Sequence, residues 1–300
     1  MDRHLVTFVA VVNKQSFTRA GEELNLTQSA VSREIEALEA EYGAKLLDRT
    51  NKFVRLTRAG EILYFHAKNI VNEYERAQRL IHDLTHEPVG SLSIGSSYTF
   101  GEYMLPHIIA EFKQMYPLIV PKITIMNSKR IRLQVLRREV DLGIVDLGTI
   151  EGSPESKDVV MRPFARDEMV VIVPPTHRFA QMNEVNLEDF ASETWILREP
   201  GSGTRDITDH IFADMDFSPA FVMEFGSTQI IKESVRAGLG VAIVSKFVIQ
   251  TDLGFQLLHA LRIKGLPMYR EFFCVTNASQ FHSKALDLFL DYLYQRSYPI

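Results

Sequence analysis

Three hundred residues, 46% hydrophobic and 24% charged, can build two or three domains with real cores, which excludes a disordered chain. No apolar run is long enough to span a bilayer, and Met1-Asp2-Arg3-His4 leads straight into an amphipathic pattern with no apolar leader, so a cytoplasmic protein is expected. At a net charge of -5, any binding to nucleic acid must rest on a local basic patch.

After an amphipathic opening at Leu5, Phe8, Val9 and Val12, two short helical patterns follow. Phe17, Ala20 and Leu24 recur at helical spacing, then Val31, Ile35 and Leu38 after the break Asn25-Leu26-Thr27. Thr27 suits the N-cap of the second helix, and Asn25 tolerates the turn that ends the first. The two helices therefore meet at a tight corner. With Val31, Ile35 and Leu38 facing inward, Gln28, Ser29, Ser32, Arg33 and Glu36 point outward. Gln can bond adenine bidentately, Arg can bond guanine, and a Ser hydroxyl can donate or accept. The opposing reading is a plain solvated face, because Glu34, Glu36, Glu39 and Glu41 would repel phosphate. The helix alone does not decide between them.

The stretch Lys45–Gly60 carries five basic residues against one acid. Phe53, Val54 and Leu56 beside Thr50-Asn51-Lys52 suggest a two-stranded wing from which Arg49, Lys52 and Arg55 reach phosphates or the minor groove. The run Ser16–Gly60 resembles the winged helix-turn-helix of the LysR-type transcriptional regulators. The match comprises Ala20, Leu24, Gln28, Ser32, Ile35, Leu38-Glu39, Gly43, Leu46, Arg49, Val54, Leu56-Thr57 and Ala59-Gly60 at the family's spacing. Ser29 stands where many members carry Pro, and Asp48 where many carry Glu. The resemblance implies base contacts by Gln28, Ser29, Ser32 and Arg33, with Lys52 at the wing tip.

Leu63, Ala67, Ile70, Tyr74, Ala77, Ile81 and Leu84 then recur at intervals of four and three, with no Pro or Gly between Glu61 and Glu87. This is a heptad seam on a helix of roughly 40 Å. Polar residues surround the seam, which favours a partner helix over the chain's own core. The family uses this element to dimerise, and two-fold pairing demands a near-palindromic site.

From about Pro88 the pattern is α/β, with short strands at Ser91–Gly95, Lys122–Met126 and Leu142–Val145, and helices at Met104–Met115 and Arg130–Arg138. A second set opens at Met169–Val173. It runs through Trp195–Leu197, a helix after Thr204, Phe221–Phe225, a helix over Gln229–Ala237 and Val241–Val244, and Lys284–Tyr294 closes the chain as a helix. Parallel strands with right-handed crossovers are expected. The family resemblance implies a two-lobed fold like the type 2 periplasmic binding proteins. The expected domains are a winged helix-turn-helix over 1–60, a linker helix over 61–88 and an effector domain over 89–300. Within the last, lobe I takes about 89–163 and 268–300, and lobe II about 164–267.

Three polar loops at strand ends are candidates for a cleft: Ser96-Ser97-Tyr98-Thr99, Asn127-Ser128 and Arg198–Arg205. Hydroxyls and helix N-termini suit an oxyanion, and Arg205 adds permanent charge. By the resemblance, Ser97, Thr99, Asn127, Ser202, Thr204 and Arg205 line the effector cleft with Thr228 at its edge, Ser96 and Arg198 being weaker members. The effector expected is a small anion: a carboxylate, a phosphate or a sulfur oxyanion.

Cys274 is the only cysteine, so no intramolecular disulfide forms, and Phe272-Phe273-Cys274-Val275 reads as a buried strand. His82 and His86 lack a third ligand and read as solvated, so no metal and no cofactor are expected. Asp141, Asp146, Asp167 and Glu168 read as surface or capping carboxylates. Gly238-Leu239-Gly240 reads as a helix end, and no nucleotide-binding or hydrolase motif occurs. An enzyme and a solute-binding protein are the alternatives. The reading favoured is a non-enzymatic regulator with double-stranded promoter DNA, an effector and its own copies as partners, as a homodimer or homotetramer. The resemblance admits RNA polymerase as a further partner.

Overall fold

The computed structural model describes residues 2–50, 53–83, 88–147 and 157–298. By its contacts the chain divides into two units, Met1–His86 and Glu87–Ile300. Among the described residues no helix is long and apolar enough to cross a membrane.

In the first unit, local capping sets each boundary. The Asp2 side chain accepts from the His4 N–H to open α1 (Arg3–Lys14), and Ser16 accepts from Arg19 to open α2 (Phe17–Leu24). Asn25, at φ 54°, ends α2. Thr27 accepts from Ala30 to open α3 (Gln28–Tyr42), which Gly43 ends at φ 61°. β1 (Leu47–Thr50) pairs antiparallel with β2 (Phe53–Leu56), and α4 (Arg58–Asp83) follows. A Cβ on Gly21 would lie 2.6 Å from the Leu26 carbonyl oxygen, so glycine is what lets the corner close. Phe8, Val11, Ala20, Val31, Ile35 and Leu38 form the fully buried centre.

Glu39 is a buried acid that sequence reasoning placed on the outer face. It accepts from the N–H groups of Leu46 (2.9 Å) and Leu47 (3.2 Å) and pairs with Lys45 at 2.8 Å. Burial pushes its carboxyl up, but Lys45 and the two backbone donors outweigh this and hold it below the usual range. A depressed folded-state pKa adds stability above the unfolded value, about 4.3, and loses it as pH falls through the folded value. Glu39→Gln is therefore expected to cost about 1–3 kcal/mol at pH 7 and progressively less below pH 4 in chemical denaturation. A penalty that does not shrink on acidification would refute the role of the charge.

The linker helix departs from the expected seam. It begins at Arg58, so Gly60 lies in its first turn, where a Cβ would sit 2.0 Å from the Leu46 carbonyl oxygen. Leu63, Ala67 and Val71 are buried in the first unit's own core. Ile70, Tyr74, Ala77 and Ile81 are exposed, and Leu84 lies outside the described residues. The stripe thus divides: its first turns serve the winged unit, and only the later part is open.

The second unit holds two lobes joined by strands that run through both. The first lobe has β3 (Gly90–Ser96), α5 (Tyr98–Tyr103), α6 (Leu105–Met115), β4 (Ile119–Ile125), α7 (Ser128–Leu136) and β5 (Leu142–Leu147). The helix expected at Met104–Met115 is α6, and the short α5 precedes it as a separate element, because Pro106 lacks the N–H needed to continue α5 and sits in the first turn of α6. β6 (Val159–Val173) then crosses to the second lobe, which has β7 (Glu184–Val185), β8 (Thr194–Arg198), α8 (Gly203–Asp214), β9 (Phe221–Phe225), α9 (Thr228–Arg236), β10 (Ala242–Ser245), α10 (Gln250–Gly254) and β11 (His259–Ile263). The chain returns along β12 (Tyr269–Asn277) to α11 (Lys284–Gln295), which packs back on the first lobe.

β3, β4 and β5 are parallel, as are β8 and β9. β7 also pairs parallel with β11, but the expectation of parallel strands fails around β6, to which β10, β11 and β12 are all antiparallel. The outgoing β6 and returning β12 run in opposite directions, so the strands that join the lobes cannot be parallel. Phe100, Phe112 and Phe289 centre the first lobe, and Phe190, Trp195 and Phe212 the second. Cys274 faces the first core on β12, its thiol pushed up to about 12 by burial. Gly238, at φ 78°, lies just past the end of α9, as the helix-end reading expects.

Candidate functional site

Two surfaces hold the expected site residues, one in each unit. On α3, Gln28, Ser29 and Arg33 are exposed and Ser32 is half-buried. Gln28 donates to Ser32 at 3.3 Å, and Thr27 bonds Ser29 at 3.0 Å. Arg33 makes no ion pair among the described residues. The acids expected to repel phosphate are partly withdrawn from that face. Glu34 pairs with Arg3 at 2.9 Å and accepts from Thr7, and Glu39 is turned into the core. On the wing, Arg55 is exposed and lies opposite Asp48 in the β1–β2 register. Arg49 lies on β1 with its side chain undescribed, and Lys52 falls outside the described residues.

In the second unit the loops after β3, β4, β8 and β9 meet. The Lys129 N–H donates to the Gly201 carbonyl at 3.0 Å, and Tyr103 bonds Gln229 at 3.1 Å, so the two lobes touch directly. Beneath the loops lies a group sequence reasoning missed. Arg270, fully buried on β12, pairs with Asp167 at 2.8 Å and with Asp146. It also donates to Thr204 at 2.8 Å and to Thr99 at 3.0 Å, from opposite lobes. Ser128 donates to Asp146 at 2.7 Å, and Ser245 to Asp167 at 2.7 Å.

Burial pushes both carboxyls up. For Asp146, Arg270 with Ser97 and Ser128 outweighs burial and holds it below the ordinary range; for Asp167 burial prevails. The reading of Asp146 and Asp167 as surface or capping groups is thereby corrected. Asp141 accepts from the N–H of Ser93 within β3 at 2.9 Å, and Glu168 pairs with Lys246 (2.5 Å) and Arg262 (2.9 Å).

The expected effector residues divide by what they touch. Thr99 and Thr204 serve Arg270. Thr228 accepts from Arg198 at 3.2 Å. Asn127 accepts from Arg130 to cap α7 and donates to Glu199 at 3.2 Å. Arg205 pairs with Asp209 (2.9 Å) and Glu224 (3.2 Å), neutralised on the second lobe. Ser97 and Ser202 are buried N-caps of α5 and α8 whose hydroxyls do not cap. The Ser97 hydroxyl lies beside Asp146 without a hydrogen bond of ordinary geometry. Of the two arginines flanking the loop after β8, Arg198 is the more buried: it is 3% exposed, stacks over Tyr98 at 4.7 Å and pairs with Glu199.

For metals, His86 and the side chain of His82 lie outside the description. Asp2, His4 and Glu41 bring one possible ligand atom each within 4.8 Å of one another on the surface, and Asp2 is already spent on capping α1.

Residues 3–61 match the family described as bacterial regulatory helix-turn-helix protein, lysR family, and residues 85–297 match the LysR substrate binding domain. The chain is 33% identical over 289 residues to the HTH-type transcriptional regulator CysL of Bacillus subtilis, covering 96% of this chain and 95% of that one. The regulatory domain of CcmR from Synechocystis PCC6803, solved in complex with 2-PG, is 29% identical with a TM-score of 0.62, covering 69% of this chain and 96% of that one. Full-length CbnR, solved with its target DNA, shares the fold at 20% identity and a TM-score of 0.73, covering 98% of this chain and 99% of that one.

Proposed function

The chain belongs to the LysR family of transcriptional regulators, and on that footing we propose that α3 reads base edges through Gln28, Ser29, Ser32 and Arg33, with Arg49, Lys52 and Arg55 of the wing on phosphate or in the minor groove. The observation that carries this reading is the outward face of α3, where Arg33 is exposed while Glu34 and Glu39 are engaged elsewhere. Residues 1–60 are the DNA-binding part, 61–88 the dimerising helix and 89–300 the effector part, divided between the lobes as the sequence reading has it. The exposed later turns of α4 take a second copy, with Ile70 and Ile81 at the seam. The protein acts in the cytoplasm, with promoter DNA, as a homodimer or a pair of dimers, and it is no enzyme. The naming of relatives such as CysL as regulators supports that last point.

The effector is a small anion held between the lobes near Ser97, Asn127, Ser202 and Thr228. Two buried N-cap hydroxyls not used in capping and the buried guanidinium of Arg198 support this, and CcmR with 2-PG is the related case. Thr99 and Thr204 act there through Arg270.

Selection of duplexes from a random pool, followed by gel shifts, is expected to yield a near-palindromic site bound with steep salt dependence. Arg33→Ala is expected to lose about 1–3 kcal/mol of discrimination at one position of each half-site while keeping its salt slope. Recovery of no preferred duplex would overturn the reading of α3. A metabolite screen by shifted mobility tests the cleft, and a screen in which no anion changes DNA binding would overturn the effector assignment.

A further inference from the structure

The Glu199 carboxylate occupies a three-donor seat that spans the lobes. Its Oε2 accepts from Arg198 Nε at 2.8 Å, and its Oε1 accepts from Arg198 Nη2 at 3.0 Å. Oε1 also accepts from Asn127 Nδ2 at 3.2 Å, and Asn127 belongs to the first lobe. A planar anion taken between two lobes meets this kind of bidentate fork. The chain already supplies such an anion from its own Glu199 side chain.

The two members of the pair differ in freedom. Arg198 is held on its other sides, with Nη1 donating to Thr228 at 3.2 Å and its plane against Tyr98, and it is 3% exposed. Glu199 is 23% exposed at the side chain and sits in the loop before Pro200 and Gly201. The cation is therefore fixed and the carboxylate is the part that can leave. Leaving costs the Arg198 bond and the link to Asn127 together, while the Lys129–Gly201 contact and the Arg270 clamp remain.

We propose that Glu199 is a built-in competitor for the effector: its carboxylate holds Arg198 and Asn127 in the ligand-free state and must be displaced by the anion that switches the regulator. This rests on the reading of the cleft as an effector site. Displacement would give the ligand a differential affinity for two lobe arrangements, without which no binding event shifts an equilibrium. It also sets specificity, since a ligand must outbid a tethered carboxylate. Weak monoanions fail, and species with a second charge or extra acceptors succeed.

The test uses the full chain and inorganic sulfate, with inorganic phosphate in separate titrations, followed by calorimetry. Because apparent affinity falls by the fraction of the site that is free, Glu199→Gln is expected to bind at least one of them roughly tenfold to hundredfold more tightly than the wild type. Glu199→Ala is expected to behave alike, and adding Arg198→Met should abolish the gain. Equal or weaker binding by both Glu199 variants would overturn the competitor role and make Glu199 a permanent part of the seat, with the effector reading intact. Absence of sulfate and phosphate binding in every variant would also overturn it. The effector reading falls only if the metabolite screen is empty as well.

Discussion

Arg270→Met is expected to destabilise the effector unit by about 3–5 kcal/mol in chemical denaturation at pH 7. The arginine is fully buried and bonded to Asp146, Asp167, Thr99 and Thr204, so the substitution leaves two carboxylates in the interior with no counter-ion. The deficit should depend on pH with a definite sign. Without the guanidinium, burial alone acts on both acids and raises their folded pKa above the unfolded value of about 3.9. Acids raised in this way stabilise fully below the unfolded pKa and lose that contribution as pH rises through the folded one. The gap between variant and wild type should therefore narrow from pH 8 to pH 5. Adding Asp146→Asn and Asp167→Asn should recover part of the loss, since removing a whole buried ion group costs less than orphaning half of it. A loss under about 1 kcal/mol, or one indifferent to pH, would show that water or relaxation reaches these carboxylates.

Gly203→Ala is expected to abolish the response to the effector while leaving the winged unit able to bind DNA. A Cβ at this position would lie 2.1 Å from the Asp146 carbonyl oxygen and 2.7 Å from its Cγ. Backbone oxygen cannot rotate aside, so the N-terminus of α8 must back away from β5. Ser202 and Thr204 flank the glycine, and Thr204 is tied to Arg270. The displacement thus reaches both the free hydroxyl and the clamp. Overpacking of this kind costs about 1–3 kcal/mol, enough to lower the melting midpoint without unfolding the chain. The diagnostic measure is the increment that a bound anion adds to that midpoint, which should vanish in the variant. Retention of the full increment would mean that the anion does not sit against α8.

What could be read in the chain beforehand follows sequence distance. The helical corner was legible because its causes are local: Ser16, Asn25 and Thr27 lie within a residue of the ends they shape, and Ala20, Val31, Ile35 and Leu38 alternate at helical spacing. The clamp was not, because Arg270 meets Asp167 across 103 positions, Asp146 across 124 and Thr99 across 171. A signal did exist: Arg270, Phe272 and Cys274 alternate on the inward face of β12, and a charge in such a register must be paired. The loops chosen as the cleft do come together, but most of their polar groups hold one another, and periodicity cannot tell a ligand's partner from a neighbour's. The seam on α4 failed in its first turns for a related reason. Leu63 and Ala67 fit a heptad equally well whether they face a second helix or α1, and the fold used them for the core.

That burial of Leu63, Ala67 and Val71 makes α4 a lever cast in one piece with the recognition corner, with no swivel where the two meet. Whatever grips the exposed far turns of the helix thereby aims α3. On the proposed reading, in which a second copy takes those far turns and α3 meets the duplex, a change of grip by one turn, about 5.4 Å, would carry α3 through the same rigid motion, and the spacing of the half-sites would follow how two such handles are clasped.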